Sequence, residues 1–487
     1  MAPGDISCEM VEIRLGNIWS DIKLVTSINQ SSLYKYLYDN LAQEDPAARH
    51  TYLYQAGRWD GMTRLFDLTN GRFRSGLVNS VLELLYAAAA LPDVDDKRNR
   101  LGRSSNLKFT DEVTPFEFQL GVKHAINEND IGIIVSKTGT GKSLMAGLII
   151  AEVNAPTMIL VTDLVLMEQM RQNLERYLQT KIGMIGDGVF DLQTITVSTY
   201  QSLITILNPK KKSENMEVLK QHMRNMTCVL SDEAHLFDSD STTKIMPYFE
   251  NAHRFYGLSA TPYGISEDGE LEKNLVLEQH FGRIIYDTRK VNTDKLRVPL
   301  MVQLLELKPV NKTYIKHKKK TRGKDTLDHS KNYKEAVDTE IVNNPDYHKF
   351  IADKAMELVS QGISVFIHAS HSVQFGKDIA ALIPDSVLIN GSTKRETRTE
   401  LYKQIADKTK MVLVSDIGGV GLDIPSLGAI ILASDLKDVR QLIGRVVRRA
   451  PGKDYGLVFD IKIPTTFIGK HRDIRLIQYA QENATVF

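Results

Sequence analysis

Short runs of apolar, often β-branched residues alternate with helix-like segments along two long stretches of the chain. In the first stretch, 112–290, the runs occupy 131–136, 157–162, 194–198, 228–232 and 255–260. In the second, 300–487, they occupy 364–369, 386–390, 411–416, 429–434 and 456–461. Segments with helical periodicity, such as 164–178 and 346–361, lie between them. Apolar strands that alternate with helices are typical of parallel sheets covered on both faces, so the pattern predicts two α/β domains in tandem.

The first hundred residues have a different pattern. Residues 11–15 alternate like a half-exposed strand, and Leu33, Leu37 and Leu41 recur at helical spacing. Asn70 and Gly71 lie between two strand-like flanks within 57–77, which favours a β-hairpin. These features predict a small α+β domain. We place the domain boundaries at 1–95 for the α+β domain, 96–111 for a basic linker, 112–295 for the first α/β domain and 296–487 for the second.

Composition and charge limit the class of protein. The chain has 487 residues, of which 42% are apolar and 25% are charged, as in a globular protein. No run approaches the ~20 apolar residues of a membrane helix, and no secretory signal is evident. Cys8 and Cys228 do not have the spacing of a metal-ligand pair. We therefore expect a cytoplasmic protein with no membrane partner, and the net charge of +1 means that any nucleic-acid partner must be argued from local charge.

Residues 136–143, with the sequence SKTGTGKS, follow the first apolar run and precede a helix-like segment. In a phosphate-binding loop, glycines let backbone N–H groups point at phosphates, and the next helix adds its positive end. Lys142 would reach the outer phosphates and Ser143 would ligate Mg²⁺. Ser136 stands where the common pattern has glycine, and a small residue is tolerated there if its φ stays negative. The alternative is a glycine-rich turn that binds no ligand.

The sequence DEAH at 232–235 ends the fourth apolar run of the first stretch. Parallel strands bring their carboxyl ends to one edge of a sheet, where ligands bind. Asp232 would then hold Mg²⁺, and Glu233 would polarise the attacking water. His235 would report the state of this site to a neighbouring segment. The alternative is a solvated acidic turn.

In this order, SKTGTGKS, DEAH, SATP at 259–262 and QLIGRVVRR at 441–449 resemble the motifs of a superfamily-2 DNA helicase of the DEAH-box type. The resemblance covers 112–460 and implies two tandem RecA-like parallel-sheet domains that use ATP and Mg²⁺. The ATP-binding residues that it implies are Gln119, which would read the adenine, and Ser136, Lys137, Thr138, Gly139, Thr140, Gly141, Lys142, Ser143, Gly421 and Asp423. The implied metal-binding residues are Ser143 and Asp232, and the implied coupling residues are His235, Ser259, Thr261 and Gln441.

The same resemblance implies catalytic roles for Glu233, Arg445 and Arg448. One of the two arginines would serve as an arginine finger, which contributes about 10³–10⁵ in rate in enzymes of this kind. Hydrolysis would therefore depend on closure of the two domains, and closure would be the mechanical step.

Near the N-terminus, GRWDGMTRLFD followed by GRFRSGL resembles the N-terminal module of the phage recombination helicases of the UvsW type. Those helicases remodel branched DNA, namely forks, Holliday junctions and R-loops, so branched or forked DNA is the implied partner. The implied setting is recombination, repair or replication, in the host cytoplasm if the chain is phage-encoded, and a monomer is favoured. Arg58, Arg64, Arg72 and Arg74 lie on or beside the expected hairpin and are the candidate DNA-contacting residues.

Several alternatives stay open from the sequence. An RNA helicase fits the motor motifs equally well, because both polymers present similar backbones. The motor of a restriction system would normally carry a nuclease signature, which is not evident. A nucleotide-switched clamp without sustained unwinding is disfavoured by the presence of Lys142, Glu233 and Arg445. The segment 308–334, with ten Lys or Arg residues, is either a solvated loop or a loop that faces DNA.

Overall fold

A computed structural model of the chain describes residues 10–24, 30–45, 47–48, 51–100, 105–137, 139–210, 213–237, 243–265, 271–291, 297–310, 317–321, 324–327, 329–417, 424–465 and 467–487. The chain divides into two compact units, the first built mainly from residues before 292 and the second mainly from residues after 293. Among the described helices, none is long and apolar enough to cross a membrane.

The N-terminal region of the first unit contains a small sheet backed by helices. Its strands are β1 (Met10–Leu15), β2 (Trp19–Leu24), β3 (Ala42–Glu44), β4 (Met62–Arg64), β5 (Arg72–Arg74) and β6 (Leu91–Asp96). Its helices span Gln30–Asn40, Tyr52–Gln55 and Val78–Ala87. Four strands form a sheet in the order β5-β2-β1-β6, in which β6 is parallel to β1 and the other neighbours are antiparallel. The alternation in β1 buries Val11 and Ile13 on the face that packs against Leu33 and Val81 of the helices.

The chain reverses direction within 57–77 as predicted, but the strands on either side of the turn have other main partners. The chain does turn where expected, because the Asp67 N–H donates to the Arg72 carbonyl at 2.9 Å and Gly71 has φ +68°. However, β4 pairs with β3, and β5 pairs with β2. Beside the Asp67–Arg72 hydrogen bond, an isolated antiparallel bridge between Phe66 and Phe73 joins the two flanks. The turn dipeptide was therefore a correct local signal, and the partner of each flank was chosen by long-range packing.

The rest of the first unit is an α/β fold. Its strands are β7 (Ile131–Val135), β8 (Thr157–Val161), β9 (Gly183–Gly186), β10 (Val189–Asp191), β11 (Ile195–Thr199), β12 (Cys228–Asp232), β13 (Arg254–Ser259), β14 (Gly264–Ile265), β15 (Leu271–Glu272) and β16 (Ile284–Asp287). Its helices span Glu117–Glu128, Lys142–Val153, Leu164–Leu178, Tyr200–Ile206, Met216–Arg224 and Leu275–Phe281. The main sheet has the order β10-β9-β11-β8-β12-β13-β7-β16 and is parallel except for β10. The two faces of this sheet are covered by separate apolar clusters.

The second unit repeats this architecture. Its strands are β17 (Leu300–Glu306), β18 (Lys318–Thr321), β19 (Lys324–Leu327), β20 (Val365–His368), β21 (Val387–Ile389), β22 (Val412–Ser415), β23 (Ala429–Leu432), β24 (Gly456–Lys462) and β25 (Thr485–Val486). Its helices span His329–Val337, Pro345–Ser360, Val373–Ala381, Arg395–Ala406, Arg440–Val446 and His471–Gln481. Seven strands form a parallel sheet in the order β21-β22-β20-β23-β24-β17-β25.

The predicted fold class, two tandem parallel-sheet domains after a small α+β region, is confirmed. The domain boundaries stay predictions. In the basic segment 308–334, β18 and β19 pair as an antiparallel ribbon, so this part of the segment is not a structureless loop.

Candidate nucleotide-binding site

Three neighbouring strands of the first parallel sheet end at the candidate site. In the order β12-β13-β7, they are followed by the DEAH sequence, the segment 260–262 and the glycine-rich loop, respectively. Because the strands are parallel, these three segments meet at one carboxyl edge of the sheet. The sequence predicted this convergence from separate motifs.

The glycine-rich loop has the backbone that a phosphate cradle requires. Gly139 and Gly141 have φ +85° and +86°, in the left-handed region that glycine adopts without strain. Gly141 caps the N-terminus of the helix Lys142–Val153, so the positive end of that helix faces the loop. Ser136 is fully buried, does not have a positive φ, and donates its N–H to the Ser259 carbonyl at 2.9 Å. Ser136 lies just after β7 and continues its hydrogen bonding, and because its φ is not positive, a residue other than glycine is tolerated there.

Of the other loop residues, Thr140 and Lys137 are described by the structure and Thr138 is not. Thr140 is fully buried, and the Lys137 N–H donates to the Thr288 hydroxyl at 3.3 Å. Thr138 lies outside the described residues. Thr288 follows β16, and no motif in the sequence marks it.

Lys142 is held at this edge by two carboxylates. Its ammonium contacts the Glu233 carboxylate and lies 3.8 Å from Oδ1 of Asp232. All three side chains are largely buried, at 11–13% exposure. Ser143 follows Lys142 at the first turn of the helix and is half-buried. A cation and two carboxylates therefore converge at the end of the glycine-rich loop, beside the helical turn that carries Ser143, and Mg²⁺ and phosphate groups would find suitable partners there.

Glu233 has a conformation that is uncommon outside glycine. Its φ is +51°, in the left-handed region, and its N–H donates to Oδ1 of Asp232 at 3.0 Å. A non-glycine residue in this region is strained by about 1–3 kcal/mol. Such strain is concentrated at functional sites, and here it turns the carboxylate of Glu233 towards Lys142.

The predicted coupling residues of the first unit lie in contact. Nδ1 of His235 is 2.9 Å from Oγ of Ser259 and 3.5 Å from Oε2 of Glu233. The Thr261 N–H donates to the same Ser259 hydroxyl at 3.1 Å. A continuous polar path therefore runs from Glu233 through His235 to the segment 259–261.

Gln119 lies beside the loop and is 2% exposed. Its Oε1 accepts the Phe116 N–H at 2.9 Å and so caps the helix Glu117–Glu128. A Cβ added to Gly141 would lie 2.7 Å from Nε2 of Gln119, which shows how closely the amide approaches the loop. Gln119 therefore lies next to the glycine-rich loop.

The remaining predicted residues lie in the second unit. Gln441 and Arg445 belong to the helix Arg440–Val446, and Arg448 follows it, where its backbone bridges to Arg297. Arg445 and Arg448 are half-buried. Gly421 and Asp423 lie outside the described residues.

Two of the four candidate DNA-contacting arginines are exposed. Arg58 is exposed, and Arg72 is exposed although its guanidinium lies over the Trp19 ring. Neither forms an ion pair within the described part of the chain. Arg64 is only partly exposed and pairs with Asp60 at 2.5 Å.

Arg74 contradicts the prediction that four arginines form one surface. It is 6% exposed, because it stacks on Trp19 with its guanidinium carbon 3.7 Å from the ring centroid. Burial, together with the charge of Arg72, lowers the pKa of Arg74 to about 10. Arg72 lies over the same ring at 4.8 Å. Trp19, which is 39% exposed, was missed because its role depends on pairing between β2 and β5.

The donor set fits ATP with Mg²⁺. The loop offers N–H groups and a lysine, and Ser143 and Asp232 offer hard oxygen atoms. Among the described residues, no group of three or more His, Cys, Asp or Glu side chains could hold a metal ion by itself. A magnesium ion here would therefore take some of its ligands from phosphates and water, as is usual for this ion.

Comparisons with known proteins agree with this geometry. Residues 99–264 match the family described as type III restriction enzyme, res subunit, and residues 357–450 match the helicase conserved C-terminal domain. Together the two matches span just over half of the chain.

Among individual proteins, helicase 22 of Sulfolobus islandicus filamentous virus, whose name records an inferred activity, is 26% identical over 73% of this chain and 66% of its own length. The DNA 3'-5' translocase XPB2 of Sulfurisphaera tokodaii is 22% identical over 71% of this chain and 80% of its own. The crystal structure of T4 UvsW matches 98% of both chains, with 20% identity and a TM-score of 0.46. The order of the motifs, the two parallel sheets and the two family matches place this chain among the ATP-dependent nucleic-acid helicases of superfamily 2.

Proposed function

We propose that the protein is an ATP-dependent DNA helicase or translocase that remodels branched DNA, such as forks, Holliday junctions and R-loops. The main support for the ATPase step is the cluster of Lys142, Asp232 and Glu233 at the carboxyl edge of the first parallel sheet. Its connection through His235 to Ser259 supports coupling of that step to movement of a neighbouring segment.

The described side chains have distinct tasks in this proposal. Bound ATP and Mg²⁺ would supply the phosphoryl group and the cation that offsets its charge. When ATP binds, the Lys142 ammonium would leave the Glu233 carboxylate and contact the outer phosphates. Ser143 and Asp232 would hold the metal ion. Glu233, freed from Lys142, would orient a water molecule and accept its proton. Gln119 would contact the base beside the loop.

The second unit contributes two arginines in this proposal. Arg445 and Arg448 would add positive charge where it develops on the transferring phosphoryl group, and Gly421 and Asp423 would also contact the nucleotide. Gln441, on the same helix as Arg445, would link that event to movement of the nucleic acid.

We propose DNA and not RNA as the substrate on two grounds, a named relative and the N-terminal region. A relative that aligns with 71% of the chain is named as a DNA translocase, and the N-terminal sheet offers Arg72 and Trp19 at its β5 edge. A guanidinium that stacks on an aromatic ring keeps its in-plane N–H groups available for a phosphate. Arg72 and Arg58 are therefore the proposed phosphate contacts, and the buried Arg74 packs against the Trp19 ring.

The deciding experiment compares nucleic-acid stimulation of ATP hydrolysis on four substrates of equal length: single-stranded DNA, duplex DNA, a mobile four-way junction and single-stranded RNA. We expect the junction to stimulate most and RNA least, with branch migration of the junction in the presence of ATP. Lys142→Ala is the control for ATPase contamination and should abolish turnover on every substrate. Greater stimulation by RNA would favour an RNA helicase, and tight ATP-dependent binding without turnover would favour a clamp.

The proposed phosphate contact has its own test. Arg72→Ala should reduce the slope of log affinity against log salt by about one for duplex DNA, because one counterion-releasing contact is lost. Arg64→Ala is the matched control, since Arg64 is already paired with Asp60. Equal slopes for Arg72→Ala and the unaltered protein would remove Arg72 from the interface.

A further inference from the structure

The helix Leu275–Phe281 packs directly against the N-terminal region. The 3₁₀ turn Ser75–Leu77, which follows β5, lies on this helix with Gly76 at the contact. A Cβ at Gly76 would lie 2.7 Å from the Gln279 carbonyl oxygen, so the two backbones touch with no side chain between them. On the same side, the Val276 N–H donates to Oε1 of Gln43 at 3.3 Å.

This contact begins two residues from the proposed DNA-contacting edge. Arg74, which stacks on Trp19, is followed by Ser75 and Gly76. Because Gly76 meets the helix backbone without an intervening side chain, a shift of the β5 edge must be passed to the helix or must open the contact. Closely packed interiors transmit such displacements because they contain little free space.

The same helix also contacts the segment that follows β13. The Tyr263 hydroxyl donates to the carboxylate of Glu278, which is 1% exposed. Burial raises the pKa of both groups. Tyr263 is two residues beyond Thr261, whose N–H is bonded to Ser259. One helix therefore contacts the N-terminal region through the backbone around Glu278 and the coupling segment through the Glu278 side chain.

We propose that Glu278 and Tyr263 are positioning residues that transmit DNA docking on the N-terminal region to the segment 259–261. That segment in turn meets His235 and Glu233. This inference rests on the proposed function, because it assigns the route by which DNA stimulates the ATPase. Neither residue is among the nucleotide-site residues assigned above, and neither lies within the motifs SKTGTGKS, DEAH, SATP and QLIGRVVRR.

The test is Tyr263→Phe, which removes one hydroxyl and keeps the ring. Tyr256→Phe is the matched control, because the Tyr256 hydroxyl is also buried in the first unit but donates to the carbonyls of Ile126 and Asn129. For each protein, ATP hydrolysis is measured with and without junction DNA over a DNA titration, together with thermal unfolding. Tyr263→Phe should lower the ratio of stimulated to basal kcat at least fivefold, with the half-saturating DNA concentration changed less than twofold. Tyr256→Phe should preserve the ratio.

A second pair of variants tests whether Glu278 acts as a hydrogen-bond acceptor or only fills space. Glu278→Gln keeps an oxygen that accepts the Tyr263 hydroxyl and should retain most of the stimulation ratio, whereas Glu278→Leu should lose it as Tyr263→Phe does. The inference is overturned if Tyr263→Phe keeps the ratio of the unaltered protein, or if Tyr256→Phe loses the ratio equally. Absence of stimulation in the unaltered protein would be a different result, because it would reject the proposed function itself.

Discussion

The two parallel sheets have the same architecture but treat charge differently at their carboxyl ends. In the first sheet, Lys142 shares the end of the phosphate loop with Asp232 and Glu233, and all three keep some contact with solvent. In the second, Asp460 and Arg475 are 0% and 1% exposed and pair at 2.7 Å. The first set is partly open to solvent, whereas the second is closed within the protein.

The closed set of the second unit has a structural task. Arg475 and Tyr479, both on the helix His471–Gln481, donate to Asp460 of β24. The same helix binds the loop that follows β23, because Gln478 donates to the Lys437 carbonyl and accepts the Val439 N–H, each at 2.9 Å. That loop leads into the helix Arg440–Val446. The buried Asp460–Arg475 pair therefore helps to hold the N-terminus of the helix that carries Arg445.

The difference between the two sheets indicates where a ligand site should be sought when one fold occurs twice in a chain. A buried ion pair that is fully satisfied contributes little net stability but is costly to break. An ion pair at a solvent-accessible sheet edge costs less to exchange, which agrees with the proposal that the first set binds a charged ligand. The comparison predicts that substitutions in the two sets will separate activity from stability.

The largest expected effect is the loss of ATP hydrolysis when Arg445 is replaced. Arg445→Ala should slow single-turnover hydrolysis by about 10³-fold or more, because the guanidinium acts on charge in the transition state. Nucleotide affinity, measured by fluorescence titration, should change little. Arg449→Ala is the control, since Arg449 is exposed and donates to the Arg297 carbonyl. An equal loss of affinity and rate for Arg445→Ala would make this arginine a binding residue instead.

Glu233→Gln should come next, with hydrolysis slowed by about 10²–10⁴-fold, because the amide is a poor proton acceptor. ATP binding should persist, and the thermal midpoint should stay close to that of the unaltered protein. Retention of near-normal hydrolysis would contradict the assignment of this sheet edge as catalytic.

Asp460→Asn should produce the opposite result. It leaves the Arg475 guanidinium buried without its counter-charge, which should cost about 3–5 kcal/mol of unfolding free energy. Chemical denaturation followed by circular dichroism measures this loss. Asp385→Asn is the control, because the Asp385–Lys410 pair is exposed and its loss should change stability little. A small effect of Asp460→Asn would mean that the network relaxes around Arg475.

The smallest effect concerns acid stability and again compares the units. Burial, with the charge of Arg74, lowers the pKa of His280 to about 3, and burial, with His371, lowers that of His368 to about 4. Since both folded-state pKa values lie below the ordinary value, each neutral ring stabilises the fold above pH 6.5, and this contribution is lost as the pH falls. At pH 5 each loss should reach about 2 kcal/mol.

His471 should act in the other direction, because hydrogen bonding to Asp435 raises its pKa. Its contribution is present below pH 6.5 and is lost as the pH rises through the raised pKa. His280→Phe should therefore flatten the acid limb of stability, measured by denaturation between pH 5 and 7. An unchanged slope in this variant would show that His280 does not stay neutral in the folded protein.

The sequence predicted the elements whose signals are local. The helix Leu164–Leu178 and the strands that end at the phosphate loop and at Asp232 follow from continuous apolar runs and their breaks. The loop itself was predicted because glycine at positions 139 and 141 meets a backbone requirement that few other residues satisfy. These features needed no knowledge of distant partners.

Features that depend on distant partners were missed or misassigned. The turn at Asn70 and Gly71 was found, but β5 pairs with β2, some fifty residues earlier, because Phe73 joins the core beside Val11 and Ile13. Tyr263 and Glu278 carry no motif, and their contact exists only once the helix Leu275–Phe281 is packed. No pattern along the chain encodes which strand or helix will arrive beside a residue.

The contact at Gly76 also affects whether the N-terminal region can be removed or exchanged as an independent module. The N-terminal region is joined to the first α/β sheet by a shared interior, since Ile18 packs in the apolar cluster beneath that sheet and Leu275 packs in the N-terminal core. Arg283 adds a double ion pair to Glu83. Truncation before residue 105, or exchange of this region with that of a relative, would uncover apolar surface and a backbone groove shaped for glycine. The N-terminal region is therefore not a detachable appendage, and chimeras should carry the helix Leu275–Phe281 together with it.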